Sequence, residues 1–182
     1  MRVPALRAAF AALLLATLPV LPTAATAAGP TPAEIAASAS VPTTAAFVAT
    51  APAANAFEIA SSRLALEKSQ NPAVRAFAQK MITDHTMIGE HFVAAFGKAG
   101  TGLTPPDGLG AELGAIMDKL QGESGAAFDK DYIAAQTQGH QAAVGLFAGY
   151  AKGGDNAVLK AFAADTLPMI EMHLEMCYAL GS

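Results

Sequence analysis

The stretch "NPAVRAFAQKMITDHTMIGEHFVAAFGKAG", residues Asn71 to Gly100, decides how this chain folds. Asn71 followed by Pro72 puts a helix cap and a first-turn proline in succession. Val74, Ala78, Met81, His85, Ile88, Phe92 and Ala95 then recur at alternating spacings of three and four, the signature of one buried helical face. Gly97, Gly100 and Gly102 end the run, so the spacing predicts a helix from Pro72 to about Lys98.

A helix with such a face must lay it against others, and the flanking sequence supplies them. Thr43 or Thr44 caps a first helix that runs to about Gln70. After the breaker cluster Thr104-Pro105-Pro106-Asp107-Gly108, Leu109 to Leu120 reads as a short helix. Ser124 then caps a long helix to about Lys152, Gly153-Gly154 makes a turn, and Asp155 caps a last helix to about Leu180. No stretch alternates with the period of a strand, so the class is all-α. Four long helices with two tight connections predict an up-and-down four-helix bundle over residues 43–182, with a short extra helix in the link between the second and third.

The N-terminus reads differently. Arg2 and Arg7, the apolar run Ala8 to Leu18 and the small residues Ala25-Thr26-Ala27 have the order of a secretory signal peptide over residues 1–27. Export to the periplasm or beyond follows from that reading. Residues 28–42 are rich in Ala, Pro, Ser and Thr with few large apolar side chains, and are expected to form a flexible segment, with a helical turn or two over Pro32 to Ser40 as the lesser alternative.

Composition narrows the partners. A net charge of -4, with lysine and arginine scattered along the chain, leaves no basic stripe for nucleic acid. No stretch after the leader is long and apolar enough for a transmembrane span. Cys177 is the sole cysteine among the 182 residues, which rules out an intrachain disulfide. An envelope protein or a second copy of the chain is the partner to expect.

The histidines fall on the predicted stripes. His85 sits within the stripe of the second helix, His140 with Ile133, Gln136, Val144 and Phe147 on the third, and His173 with Phe162, Thr166, Met169 and Met176 on the fourth. The first helix contributes Glu58 amid Ala54, Ser61, Ser62 and Ala65. A buried carboxylate needs protonation, a hydrogen-bond donor or a cation. Glu58, His85, His140 and His173 are therefore a candidate ligand set for zinc, copper or iron, or else a structural polar network. His91 lies on the flank of its helix and reads as a solvated histidine, while Asp84 stands one residue off the stripe, placed to orient a neighbour or meet solvent.

Heights along the bundle qualify this. Counted from the turn near Asn71, Glu58 and His85 come out nearly level, whereas His140 and His173, counted from Gly153-Gly154, are offset by about 10 Å on straight helices. That offset argues against one site holding all three histidines unless Pro168 bends the last helix. If His173 is out of reach, Asp129, Asp131, Tyr132, Asp165 and Met169 become the alternative neighbours. Met169, Met172, Met176 and Cys177 near His173 could bind copper(I), but methionine at helical spacing is more often core, and Cys177 is expected to be an inert buried thiol. The residues three before the inward histidines are Ile82, Thr137 and Ile170, so the Glu-x-x-His pairs of dinuclear iron bundles are absent.

Phe47, Ala56-Phe57-Glu58-Ile59-Ala60, Val74-Arg75-Ala76-Phe77-Ala78, Asp84-His85, Phe128-Asp129 with Tyr132 and His140, and Leu167-Pro168 with His173 together resemble the bacterial exported family known as domain of unknown function 4142. The resemblance spans about Phe47 to Leu180 and implies a ferritin-like bundle in the periplasm or at the outer membrane, with no established reaction. It marks Glu58, Asp84, His85, Asp129, Tyr132, His140, Pro168 and His173 as recurring positions. The expectation is an exported bundle that binds one transition-metal ion for storage, buffering or stress protection rather than turnover. The alternative is a non-catalytic envelope protein with a buried Glu58–His85 pair.

Overall fold

The computed structural model describes residues 29–182. The signal peptide expected over residues 1–27 lies outside them. Six helices follow in order, α1 Pro32–Ser38, α2 Thr44–Lys68, α3 Pro72–Ala99, α4 Gly110–Gly122, α5 Gly125–Gly153 and α6 Ala157–Gly181, and there is no strand among the described residues. No helix among them is long and apolar enough to cross a membrane.

Local chemistry explains most of the boundaries. The Thr43 hydroxyl accepts from the Ala46 N–H at 3.1 Å and the Asn71 side chain from the Ala73 N–H at 2.9 Å, while Pro72 begins α3 where no N–H is required. Gly100 ends α3 in the left-handed region, at φ 61°. Ser124 stands at the N-cap of α5 without a side-chain hydrogen bond. Asp155 does not cap α6; Asn156 does, accepting from the Leu159 N–H at 3.1 Å and donating to the Ala99 carbonyl at 2.8 Å. Asp155 instead accepts from the Thr44 hydroxyl, which ties the start of α2 to the α5–α6 turn.

Composition points to a flexible segment at residues 28–42, yet α1 lies within it and packs on α5 and α6. Thr31 and Glu34 form a reciprocal capping box, and the Tyr178 hydroxyl donates to the Pro30 carbonyl at 2.5 Å. At Gly149 a Cβ would collide with the Ser40 carbonyl, so the glycine admits the strap that follows α1. Counting residue types misses such a piece, because seven residues need only Pro32, Ile35 and Ala36 as anchors.

The four long helices close a ring of contacts, α2 on α3, α3 on α6, α6 on α5 and α5 on α2, and α4 packs on α2 and α5. Two apolar clusters fill the interior. The first gathers Phe47, Phe92, Phe147, Tyr150 and Phe162; the second gathers Phe57, Phe77, Met81, Phe128 and Tyr132. In α3 the buried Asp84 and His85 separate the two sets, and in α5 Gln136 and His140 do so. The candidate site lies in this polar layer.

Candidate metal centre

Helices α3, α5 and α6 each turn one imidazole into the polar layer. His85, His140 and His173 are all buried, and one ring nitrogen from each lies within 4.8 Å of the others. The ring centroids form a nearly equilateral triangle, 5.6 Å for His85–His140, 5.3 Å for His85–His173 and 5.4 Å for His140–His173.

Each ring is held from one side by an oxygen. Nδ1 of His85 lies 3.0 Å from Asn55 Oδ1, Nδ1 of His140 lies 2.9 Å from the Gln136 carbonyl, and Nε2 of His173 lies 2.7 Å from Asp84 Oδ2. A carbonyl or carboxylate oxygen only accepts, so the nitrogen facing it carries the proton and the opposite nitrogen of a neutral ring carries the lone pair. Those opposite atoms are His85 Nε2, His140 Nε2 and His173 Nδ1, and all three are buried without a hydrogen-bond partner. An unsatisfied buried acceptor costs about 1–3 kcal/mol, so one on each of three neighbouring rings forms an arrangement that a cation would relieve.

Electrostatics favour the neutral form of His85 and of His173. Burial, reinforced by the neighbouring imidazoles, holds His85 well below the ordinary histidine range. Burial also lowers His173, to about 4, against the opposing pull of Asp84. The 2.7 Å contact is therefore a neutral N–H donating to a carboxylate rather than an ion pair. Burial pushes the Asp84 carboxyl up, but hydrogen bonds from Lys80 and His173 outweigh it and keep the group below its usual value. Lys80 Nζ stands 2.8 Å from Asp84 and is half exposed, so the second layer reaches solvent.

Glu58 stands beside the triangle. Its Oε1 lies 3.9 Å from His140 Nδ1, its Oε2 has no partner, and burial raises its pKa against the pull of His140 and Gln136. Gly139 makes room for it, since a Cβ there would stand 3.1 Å from Oε1. Nearby, Gln136 donates to the Ser61 hydroxyl at 3.1 Å, and the Ser62 and Tyr132 hydroxyls meet at 2.9 Å.

The family model described as Domain of unknown function (DUF4142) matches residues 28–180. The chain belongs to the DUF4142 family. No curated protein and no solved structure matches it. The DUF4142 domain thus has to be read from its own atoms.

Within the site the domain departs from the sequence expectations in two places. His140 and His173 do meet, because the α5–α6 turn consumes three residues, 154–156, that add nothing along the helix axes. Counting helical residues alone, His140 is 13 before the end of α5 and His173 is 16 after the start of α6. The difference of three residues is about 4.5 Å, within the reach of two side chains. The same correction moves the partner of His85. Asn55 is 13 residues before the end of α2 and His85 is 13 after the start of α3, so Asn55 meets His85, and no hydrogen bond joins His85 to Glu58. Asn55 is the site residue that sequence reasoning missed, and that count would have found it.

Four other candidates stand outside the triangle. Asp131 pairs with Lys119 at 2.6 Å and Asp165 is exposed. His91 is exposed on its flank of α3. Cys177 Sγ approaches His140 Nδ1 at 3.9 Å, and burial pushes its thiol up, which suits an inert side chain.

A cavity of about 170 Å³ adjoins the triangle. Asn55, Glu58, His85 and His140 line its polar end, and Ala51, Ile88, Phe92, Phe147, Phe162 and Ile170 of the first apolar cluster line the rest. Val93, which is 70% exposed, stands at its rim.

Proposed function

We propose that this DUF4142 domain is a ferritin-like four-helix bundle of the bacterial cell envelope that binds one transition-metal ion through His85 Nε2, His140 Nε2 and His173 Nδ1. The observation that carries the reading is the pairing of three unpartnered, buried nitrogens with three oxygen acceptors behind the rings. Metal-ligating histidines are oriented in that way, with the outer N–H donated to a carboxylate or carbonyl. Imidazole suits zinc, copper or iron. Glu58, which burial favours in its neutral form, stands beside His140 and would give up its proton to a bound cation, as a neighbour of the ion or as a further ligand. Storage, buffering or protection of the envelope against metal stress is the role that fits a single deeply buried site.

The alternative, a purely structural Glu58–His85 pair, loses its main support because His85 turns to Asn55. The test is metal analysis of the protein purified without chelator, together with melting curves at added zinc, copper(II) and iron(II). The reading expects about one ion per chain and a higher Tm that disappears in His140→Ala. No bound metal and no shift with any of the three would end it.

A further inference from the structure

Three histidines are one donor short of the four that zinc takes, and a catalytic or sensing site leaves such a position to water or a ligand. Here two of the three histidines, His85 and His140, line a cavity whose other walls are aromatic and aliphatic. A cavity of about 170 Å³ is close to the ~150 Å³ apolar space that accepts a benzene molecule in another protein. Storing an ion needs no such space, and an unfilled apolar cavity weakens the core around it.

We propose that this cavity is a ligand site for a neutral molecule the size of one aromatic ring, whose single hydroxyl head reaches the metal held by the histidines. The inference rests on the metal reading above. The walls set the tail: Phe92, Phe147, Phe162, Ile88 and Ile170 offer no hydrogen-bonding side chain. The polar end sets the head. A carboxylate would bring a second buried acid against Glu58, and an ammonium has no lone pair for a metal. A hydroxyl has both a lone pair for the ion and a proton to donate, and Glu58 Oε2, buried without a partner, is an acceptor at that end. Val93 at the rim marks the side from which such a molecule enters.

The experiment loads the full domain with cobalt(II), whose visible spectrum reports its ligands, and titrates it with phenol, methanol and toluene. Phenol should change the cobalt spectrum saturably. Methanol should need roughly a thousandfold higher concentration, since phenol buries five more carbons and each methylene-sized unit is worth about fourfold in affinity. Toluene should compete with phenol without a spectral change of its own. Ala143→Leu and Ala54→Leu each fill the cavity from a different helix and should keep the cobalt spectrum while weakening phenol at least tenfold; either one, if folded by circular dichroism, suffices. A cobalt-loaded protein that ignores phenol, or responds equally to phenol and methanol, overturns the ligand site and leaves the metal reading standing. Failure of cobalt, zinc, copper and iron alike to bind overturns both.

Discussion

The two apolar clusters of this domain are built from similar residues and are packed to different ends. The cluster around Phe128, Phe77 and Met81 surrounds fully buried side chains and is joined by Leu120 from α4. The cluster around Phe47 and Phe162 also contains a stacked pair, Phe47 on Tyr150 with ring centroids 4.3 Å apart, but one of its sides borders the cavity. Interiors normally pack to the density of organic crystals, so a space left on one side of the histidine layer and not designed away is a functional signal. One cluster anchors the histidines from below, and the other offers them a neighbour.

Substitution can break that contrast. Phe128→Ala should cost about 3–5 kcal/mol in urea unfolding, and Phe162→Ala at least about 1 kcal/mol less, because its ring already lacks contacts on the cavity side. Equal losses would mean that the two clusters are equally packed. The layer between them should respond to metal next in size. Zinc at a hundred times its Kd should stabilise the fold by about 2.7 kcal/mol, an effect absent in His140→Ala. Asp84→Asn and Asn55→Ala, which disturb the acceptors behind two of the rings, should weaken zinc binding by about 10–100-fold while leaving the helical spectrum intact.

Adding volume probes the same difference from the other side. Ala78, fully buried in the second cluster, should cost about 1–3 kcal/mol on conversion to leucine, whereas Ala143→Leu beside the cavity should stay within about 1 kcal/mol of the parent. Acid acts on the metal-free protein through the same polar layer. Burial keeps the folded pKa of His173 at about 4 and lowers that of His85 as well, below the 6.5 of an ordinary imidazole. As pH falls below 6.5 the unfolded chain takes up protons that the fold refuses, so stability declines from there to about pH 4. Glu58 opposes this: its raised pKa means that above 4.5 the unfolded chain releases a proton the fold retains, and stability declines as pH rises. Glu58→Gln should therefore steepen the acid loss seen in denaturant midpoints between pH 6.5 and 4. An unchanged slope would mean that Glu58 does not titrate in this range.

Much of the architecture was legible in residue order. The stripe through Val74, Met81, His85 and Phe92, the Asn71-Pro72 junction and the glycines after Phe96 specify α3 by short-range chemistry alone. The same kind of reading put His85, His140 and His173 on inward faces, because a face is set by a period of 3.6 residues within one helix. The sequence left Asp84, one residue off the stripe, to orient a neighbour or meet solvent, and its contact with His173 decides for the first. The helical anchor at Pro32–Ser38 was less visible, since a few contacts with α5 and α6 hold it rather than its own composition.

Which residues meet across helices is another matter. Whether His173 reaches His140, and whether His85 faces Glu58 or Asn55, depends on where each turn stops advancing along the axis, and a miscount of three residues moves a side chain by about 4.5 Å. The cavity is further still from the sequence, because it is a shortfall of volume among side chains from four helices, and no local pattern records it. By itself the sequence determined the helices, their buried faces and the inward histidines, all of which follow from short-range periodicity. Only the tertiary structure decided that three imidazoles converge, which oxygens hold them and what lies open beside them, because relative helix height and packed volume are properties of the assembled domain.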